Sequence, residues 1–519
     1  ERLFCAIKLL KRLRKLCLRD VRLPVSYCAN AKTYLEMCSS LTILKDIVFP
    51  DLSFIDNDCI TGCFKALESL GNLRSLEYKN RESTTEAFAD VLPSLQLLEK
   101  VDVDFSVSYS YPKSLLDALG KLRYLKEFSE GHIKCADIEA FAHTLSSLPL
   151  LEKLSFFFDK LSNTEHIGQV YAAIGKLKYL RKLDLVRRNG SINDSEAEAF
   201  AKVLSSLPLL EKLRLSTYGY IAGQLYGAIG KLKYLRKLKL HIDNPGDGGE
   251  AEALAKALPS LELLEELKLS FYMGLETDGG KQVFAAISKL RYLKKLEYTF
   301  PFGGYTDVKA FSEMLTSLPL LEKLVFIKID NCINESEEKE LFIAVGKLKR
   351  LKTLHLEGKF KLTPTTVKAL VRALLSLRVL EDLYLQYIYD INGSESEELS
   401  AAVGKLKYLK KLTLYLSKTT QTNVDALVRA LASLQVLEEL TLDVNFYCRH
   451  DCDVNCDDKC DHNCYDDMCY EYREDEQKQH VDLTKEKVLE MREEKLNYLK
   501  EFTLNGEHDI QVLGELHVT

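Results

Sequence analysis

Apolar residues recur along this chain in two rhythms. One is a Leu-x-x-Leu-x-x-Leu-x-Leu segment, as in Leu177-Lys178-Tyr179-Leu180-Arg181-Lys182-Leu183-Asp184-Leu185. Its closing alternation has period two and predicts a short strand, leucines inward and the intervening residues on the opposite face. The other rhythm is helical. In Glu196-Ala197-Glu198-Ala199-Phe200-Ala201-Lys202-Val203-Leu204 the apolar Ala197, Phe200, Ala201 and Leu204 fall three and four apart. Ser195 stands three residues before Glu198, and Ser394 three before Glu397, spacings that predict capped helix starts.

The first apolar residue of each closing alternation serves as a marker. The markers are Leu16, Ile47, Leu76, Val101, Phe128, Leu154, Leu183, Leu213, Leu238, Leu267, Leu296, Leu324, Leu354, Leu383, Leu412, Leu440 and Phe502, seventeen units in all. From Leu16 to Leu440 the mean step is about 28 residues. One strand and one helix of this size cannot bury their apolar faces alone, so neighbouring units must stack and share a core. Over about residues 3–505 the chain resembles the ribonuclease-inhibitor-like subfamily of leucine-rich repeats. The resemblance implies an α/β leucine-rich-repeat solenoid, a horseshoe with parallel strands on its concave face and helices on its convex face. One departure stands out. The subfamily usually carries Asn or Cys three residues after the second strand leucine, where this chain has Asp159, Arg188, Tyr218, Asp243 and Tyr272. The loops after the strands are accordingly less predictable than the strands.

The units alternate between two kinds. One reads Ser206-Leu207-Pro208-Leu209-Leu210-Glu211-Lys212-Leu213, the other Gly230-Lys231-Leu232-Lys233-Tyr234-Leu235-Arg236-Lys237-Leu238. Two residues before the marker the charge alternates through fourteen consecutive units, from Glu99, Lys126, Glu152 and Arg181 to Glu438 and Lys500. Adjacent strands lie about 4.8 Å apart, so stacked units set opposite charges side by side. Each exposed pair contributes only about 0–1 kcal/mol. The larger effect is on register, because a slip of one repeat sets like charges together.

Residues flanking the strand leucines are expected to face solvent on the concave side. In seven central units these are Lys153, Lys182, Lys212, Lys237, Glu266, Lys295 and Lys323, then Ser155, Asp184, Arg214, Lys239, Lys268, Glu297 and Val325: nine positive and three negative charges. Four successive lysines, Lys153 to Lys237, should stand on neighbouring strands, where like charges repel. That points to an anionic partner, the plainer alternative being that the lysines pair with acids such as Asp184. The next units present Asp382, Glu439, Glu357 and Asp443 against Lys411, together with Tyr384, Tyr415 and His355. The expected face is basic in the middle and acidic towards its end. Nucleic acid is disfavoured, since these basic rows lack interleaved aromatics on which bases stack.

The step from Leu440 to Phe502 is 62 residues, and the excess, near 445–480, is rich in Asp and Cys. Cys448, Cys452, Cys456, Cys460, Cys464 and Cys469 allow three disulfides in an oxidising compartment. They also allow a zinc site with a histidine, although every gap exceeds Cys-x-x-Cys. A disordered acidic segment is the third option. Cys5, Cys17, Cys28, Cys38, Cys59 and Cys63 crowd the first units, as buried thiols or further disulfides. The expected organisation is a repeat array over 1–444, of about 16 units, an acidic Cys-rich insertion at 445–480, and a last repeat with a C-terminal cap at 481–519. The chain opens on Glu1 in the middle of a repeat and reads as a fragment or processed product. Four Asn-x-Ser triplets begin at Asn189, Asn193, Asn334 and Asn392, either glycan acceptors or sites where the serine caps a helix.

Net charge of −6 over 519 residues argues for neither nucleic acid nor membrane. No apolar run is long enough to span a bilayer. Ten scattered histidines form no triad, no phosphate-binding glycine motif is present, and Gly279-Gly280 after Asp278 reads as a turn. The expected function is therefore non-enzymatic and needs no cofactor: an interaction scaffold, or a ligand-sensing repeat domain, binding a protein through the concave face. Two other classes stay open. One is a disulfide-stapled surface protein that assembles into an array. The other, from the resemblance, is a GTPase activator, although no family residues map onto positions here. The compartment, extracellular or cytoplasmic, follows the state of the cysteines, and oligomeric state is left open.

Overall fold

The computed structural model describes residues 2–18, 36–49, 57–80, 85–105, 112–133, 137–158, 164–187, 192–217, 219, 221–242, 249–271, 277–300, 308–328, 333–358, 360–389, 394–417, 421–445, 501–505 and 512–515. The chain divides into two compact units, Glu1–Leu264 and Glu265–Thr519. In the first, β1 (Lys15–Cys17), β2 (Asp46–Val48), β3 (Ser75–Asn80), β4 (Lys100–Phe105), β5 (Glu127–Ile133), β6 (Lys153–Phe158), β7 (Lys182–Arg187), β8 (Lys212–Thr217) and β9 (Lys237–Ile242) pair in sequence order, all parallel. The second contains β10 (Glu266–Phe271), β11 (Lys295–Phe300), β12 (Lys323–Lys328), β13 (Thr353–Gly358), the two-residue β14 (Phe360–Lys361), β15 (Asp382–Tyr389), β16 (Lys411–Ser417), β17 (Glu439–Asn445) and β18 (Glu501–Asn505), again parallel. β19 (Val512–Glu515) closes antiparallel on β18. Helices such as Asp194–Ser205 and Glu335–Val345 alternate with the strands. Each unit is thus an α/β repeat solenoid of the leucine-rich-repeat kind.

All seventeen markers occupy the second position of a strand. They pair with one another, Leu183 with Leu213 and Leu213 with Leu238 for example. The reason is burial. Leu183, Leu213 and Leu238 are at most 1% exposed, and so are Leu185, Leu215 and Leu240 two residues on. A shift of one residue would turn every one of these leucines to solvent. β17 and β18 are direct neighbours, Leu440 beside Phe502, although 62 residues separate them in sequence.

The charge alternation forms a ladder along the strand starts. Lys126 Nζ lies 2.7 Å from Glu99, Arg181 2.5 Å from Glu211, and Lys410 2.8 Å from Glu381. Arg74 also bonds Glu99, extending the ladder one unit earlier. The backbone runs in parallel with it: Arg181 and Lys182 both donate to the carbonyl of Glu152, and Glu211 and Lys212 to that of Arg181. Lys500 lies outside the described residues.

A second alternation explains why two unit types take turns. The hydroxyl of Ser206 donates to the carbonyls of Gly175 (3.1 Å) and Val203 (2.7 Å), so a serine of one unit caps the helix end of the unit before. Ser376 does the same for Gly346 at 2.6 Å and Ser433 for Gly404 at 2.7 Å. A Cβ on Gly404 would stand 2.7 Å from Ser433 Oγ, so that serine crowds any side chain at Gly404.

Helix starts depart from the expectation in one detail. At two of the Asn-x-Ser triplets, those of Asn193 and Asn334, the cap is the asparagine and not the serine. Asn193 accepts from the Glu196 amide, which places Ser195 inside the first turn, and Glu198 instead pairs with Lys202 at 2.9 Å. Asn334 and Glu337 form a complete capping box. An extended residue whose amide oxygen reaches the N–H three positions on suits asparagine. Asn334→Ala should therefore cost about 1 kcal/mol in urea denaturation. Ser394 is the first residue of its helix, Ser394–Val403, while Asn189 and Asn392 lie outside the described residues. Gly279-Gly280 is not a turn. Both belong to the helix Thr277–Ile287, whose buried Val283, Phe284 and Ile287 outweigh the roughly 1 kcal/mol cost of each glycine. Cys5, Cys17, Cys38 and Cys63 are free thiols, the last two buried.

Candidate functional site

One face of each sheet packs on the helices, and the other carries the residues between the strand leucines. In the first unit Lys182, Lys212 and Lys237 stand in register on β7, β8 and β9, and Asp184, Arg214 and Lys239 form the next row. Neighbouring strands are about 4.8 Å apart, so three lysines follow one another at that spacing.

The structure separates cations already matched within the protein from those that are not. Lys153 pairs with Glu127 on the preceding strand. Arg214 lies over Asp184 at 3.5 Å. The expectation that Asp184 faces solvent is corrected: it is 7% exposed, covered by Arg214, with Oδ1 unbonded in the described protein. Val325, expected to face solvent, and Thr413, also at a flanking position, are buried too. In the second unit Lys268 pairs with Glu297, and Lys295 with Glu266 at 2.7 Å. The side-chain ammonium groups of Lys182, Lys212 and Lys239 form no ion pair or hydrogen bond among the described residues. Three such cations thus lie on β7 to β9 of the first unit, and Lys323 on β12 of the second is likewise without an ion pair among the described residues.

The open face of the second unit has a different chemistry. The His355 ring lies 3.7 Å from that of Tyr384, and Tyr384 is 5.7 Å from Tyr415, so three flanking positions on β13, β15 and β16 form one aromatic patch. Tyr384 donates its hydroxyl to Gln386 Oε1 at 2.6 Å, and His355 Nε2 is 3.2 Å from Glu357. Burial pushes the His355 pKa below its ordinary value, against the pull of Glu357, and Lys323 pushes the same way as burial. Burial likewise raises the Asp382 carboxyl, opposed by Lys411 and Lys323. Lys411 is itself held by Glu439 at 2.6 Å. The expected aromatic residues are brought together here, but Lys323 and Lys411 temper the expected acidity. The side chain of Asp443 lies outside the described residues.

Two features behind the strands were not anticipated. Arg187, four residues after its marker, bonds Glu196, and Tyr171 donates to the same carboxylate at 2.8 Å; both charged side chains are at most 6% exposed. Burial, then Glu196, hold the Tyr171 phenol well above its ordinary pKa. Lys328, at the same offset, is 2.7 Å from Glu338, with side chains 1% and 0% exposed. A signal was available. In several other units that offset holds a large apolar residue, Phe105, Phe158, Ile242, Phe271 and Phe300 among them, so a cation there calls for a buried acid.

No cluster of three or more metal-ligating side chains occurs among the described residues, and none of their helices is long and apolar enough to cross a membrane. Cys448, Cys452, Cys456, Cys460, Cys464 and Cys469 lie outside the described residues, as do Cys28 and the positions from Asp159 to Tyr272 that depart from the leucine-rich-repeat pattern. No protein-family model matches the chain.

Proposed function

We propose that this chain is a non-enzymatic interaction module, a scaffold or ligand-sensing domain of the ribonuclease-inhibitor-like kind. In this reading its open strand face binds a protein carrying an acidic segment. The observation that carries the reading is the group Lys182, Lys212 and Lys239, three cations on adjacent strands whose side chains have no ion-pair partner among the described residues. An external anion would relieve their mutual repulsion. Lys237 stands in register with Lys182 and Lys212. Arg214, Lys153, Lys268 and Lys295 add positive field while paired with acids of the chain, and Lys323 adds a further cation in the second unit. In the second unit Tyr384 and Tyr415 supply amphipathic contact area of the sort that anchors protein partners.

The test is titration of the chain with a polyglutamate peptide, in low and high salt. Binding should weaken by about 100-fold in Lys182→Glu/Lys212→Glu/Lys239→Glu and fall with salt. Affinity untouched by both changes would overturn the reading.

A further inference from the structure

The Lys-Tyr or Arg-Tyr segment of the alternate repeats takes no part in the strand face. Four residues before the marker it places Tyr124, Tyr179 and Tyr234 of the first unit at 53%, 55% and 58% exposure. Tyr292 and Tyr408 hold the same place in the second unit, at 56% and 61%. The intervening repeats put aliphatic side chains at this offset, among them Leu97, 38% exposed. Because the strands pair in register, residues at one offset fall on one line along the edge where the strands begin. Consecutive tyrosines stand two strands apart, roughly 10 Å.

This line is bordered by cations. Lys176, Lys178, Lys231 and Lys233, five and seven residues before their markers, are all exposed, and the intervening repeat offers Ser206 and Pro208 there rather than an acid. Lys178 donates to the carbonyls of Gly175 (3.1 Å) and Ser206 (3.4 Å), and none of the four forms an ion pair among the described residues. The nearby acid Glu211 is engaged by Arg181.

We propose that this edge of the first unit is a peripheral binding site for an anionic bilayer surface. Aromatic tips with a polar end, aliphatic tips and flanking lysines are the three components that settle at a charged headgroup plane. Nucleic acid suits the edge less well. Stacked bases follow at about 3.4 Å, so tyrosines roughly 10 Å apart would engage one base in three, and the leucines between them would contribute nothing.

The chain contains no tryptophan, which supplies a clean probe. Tyr179→Trp reports from the edge and Tyr384→Trp from the strand face. With phosphatidylcholine vesicles containing about 30% phosphatidylserine, the Tyr179→Trp emission should shift to the blue and the Tyr384→Trp emission should not. Neutral vesicles should produce neither change. Replacing Lys176, Lys178, Lys231 and Lys233 with Gln should lower the vesicle partition coefficient of the otherwise unaltered chain by tenfold or more, on the order expected for four lost surface charges. The proposal is overturned if wild-type chain does not cosediment with the charged vesicles, if the blue shift occurs at Tyr384→Trp instead, or if polyuridylate shifts Tyr179→Trp while vesicles do not. Loss of polyglutamate binding with vesicle binding intact would sink only the strand-face reading.

Discussion

Lys328→Met should destabilise the second unit by about 3–5 kcal/mol, because it strands the Glu338 carboxylate in a place without water. The partners are 2.7 Å apart with side chains 1% and 0% exposed, and Lys328 Nζ also lies 5.4 Å from the Phe360 ring centre. Neither charge has another route to solvent. The pair itself contributes little beyond offsetting its own desolvation, so Lys328→Met/Glu338→Leu should recover most of the loss. Urea denaturation followed by circular dichroism measures both variants. A single substitution that costs under about 1 kcal/mol would show that water reaches the pair. The Arg187, Glu196 and Tyr171 cluster of the first unit should behave alike, with Glu196→Gln milder than Arg187→Met, since the amide still accepts from Tyr171.

Gly358→Ala should be nearly as damaging, at about 3 kcal/mol or more, through a different cause. Gly358 has φ of 122°, which side-chain-bearing residues rarely adopt. A Cβ there would stand 2.1 Å from the carbonyl oxygen of Lys328, the residue paired with it across β12 and β13. Relief requires the ends of β12 and β13 to move apart, at the last pair of a ladder that begins with Lys323 beside Thr353. The two predictions are coupled, because displacing Lys328 also moves the buried cation from Glu338. Amide exchange in β12 and β13 should rise in Gly358→Ala; unchanged protection there would mean that the strands accommodate the methyl.

The repeat was legible because it rests on local rules that hold in every unit. Leucines at period two mark a strand, the helical rhythm marks what covers it, and the charges two residues before each marker announce which strands are neighbours. Lys126, Arg181 and Lys410 meet Glu99, Glu211 and Glu381 as that alternation requires. The site was legible only as a set of rows. Sequence spacing put Lys153, Lys268 and Lys295 in the same class as Lys182, Lys212 and Lys239, yet the first three meet Glu127, Glu297 and Glu266. Which lysine finds an acid depends on side-chain reach across strands, and spacing within one strand says nothing about it. Cap identity failed for a related reason: Asn193 and Ser195 both suit a helix start, and the first residue still extended decides between them.

By itself, then, the amino-acid order determined the strand and helix rhythm, the register of neighbouring units and the face on which each side chain emerges. These follow from periodicity and nearest-neighbour charge, which act over one repeat. Tertiary structure alone decided which cations are neutralised, that Lys328 and Glu338 or Arg187 and Glu196 meet in the interior, and that His355, Tyr384 and Tyr415 share one patch. Those outcomes depend on distances between side chains 9 to 31 residues apart along the chain, set by the packing of helix on strand within a repeat and of repeat on repeat.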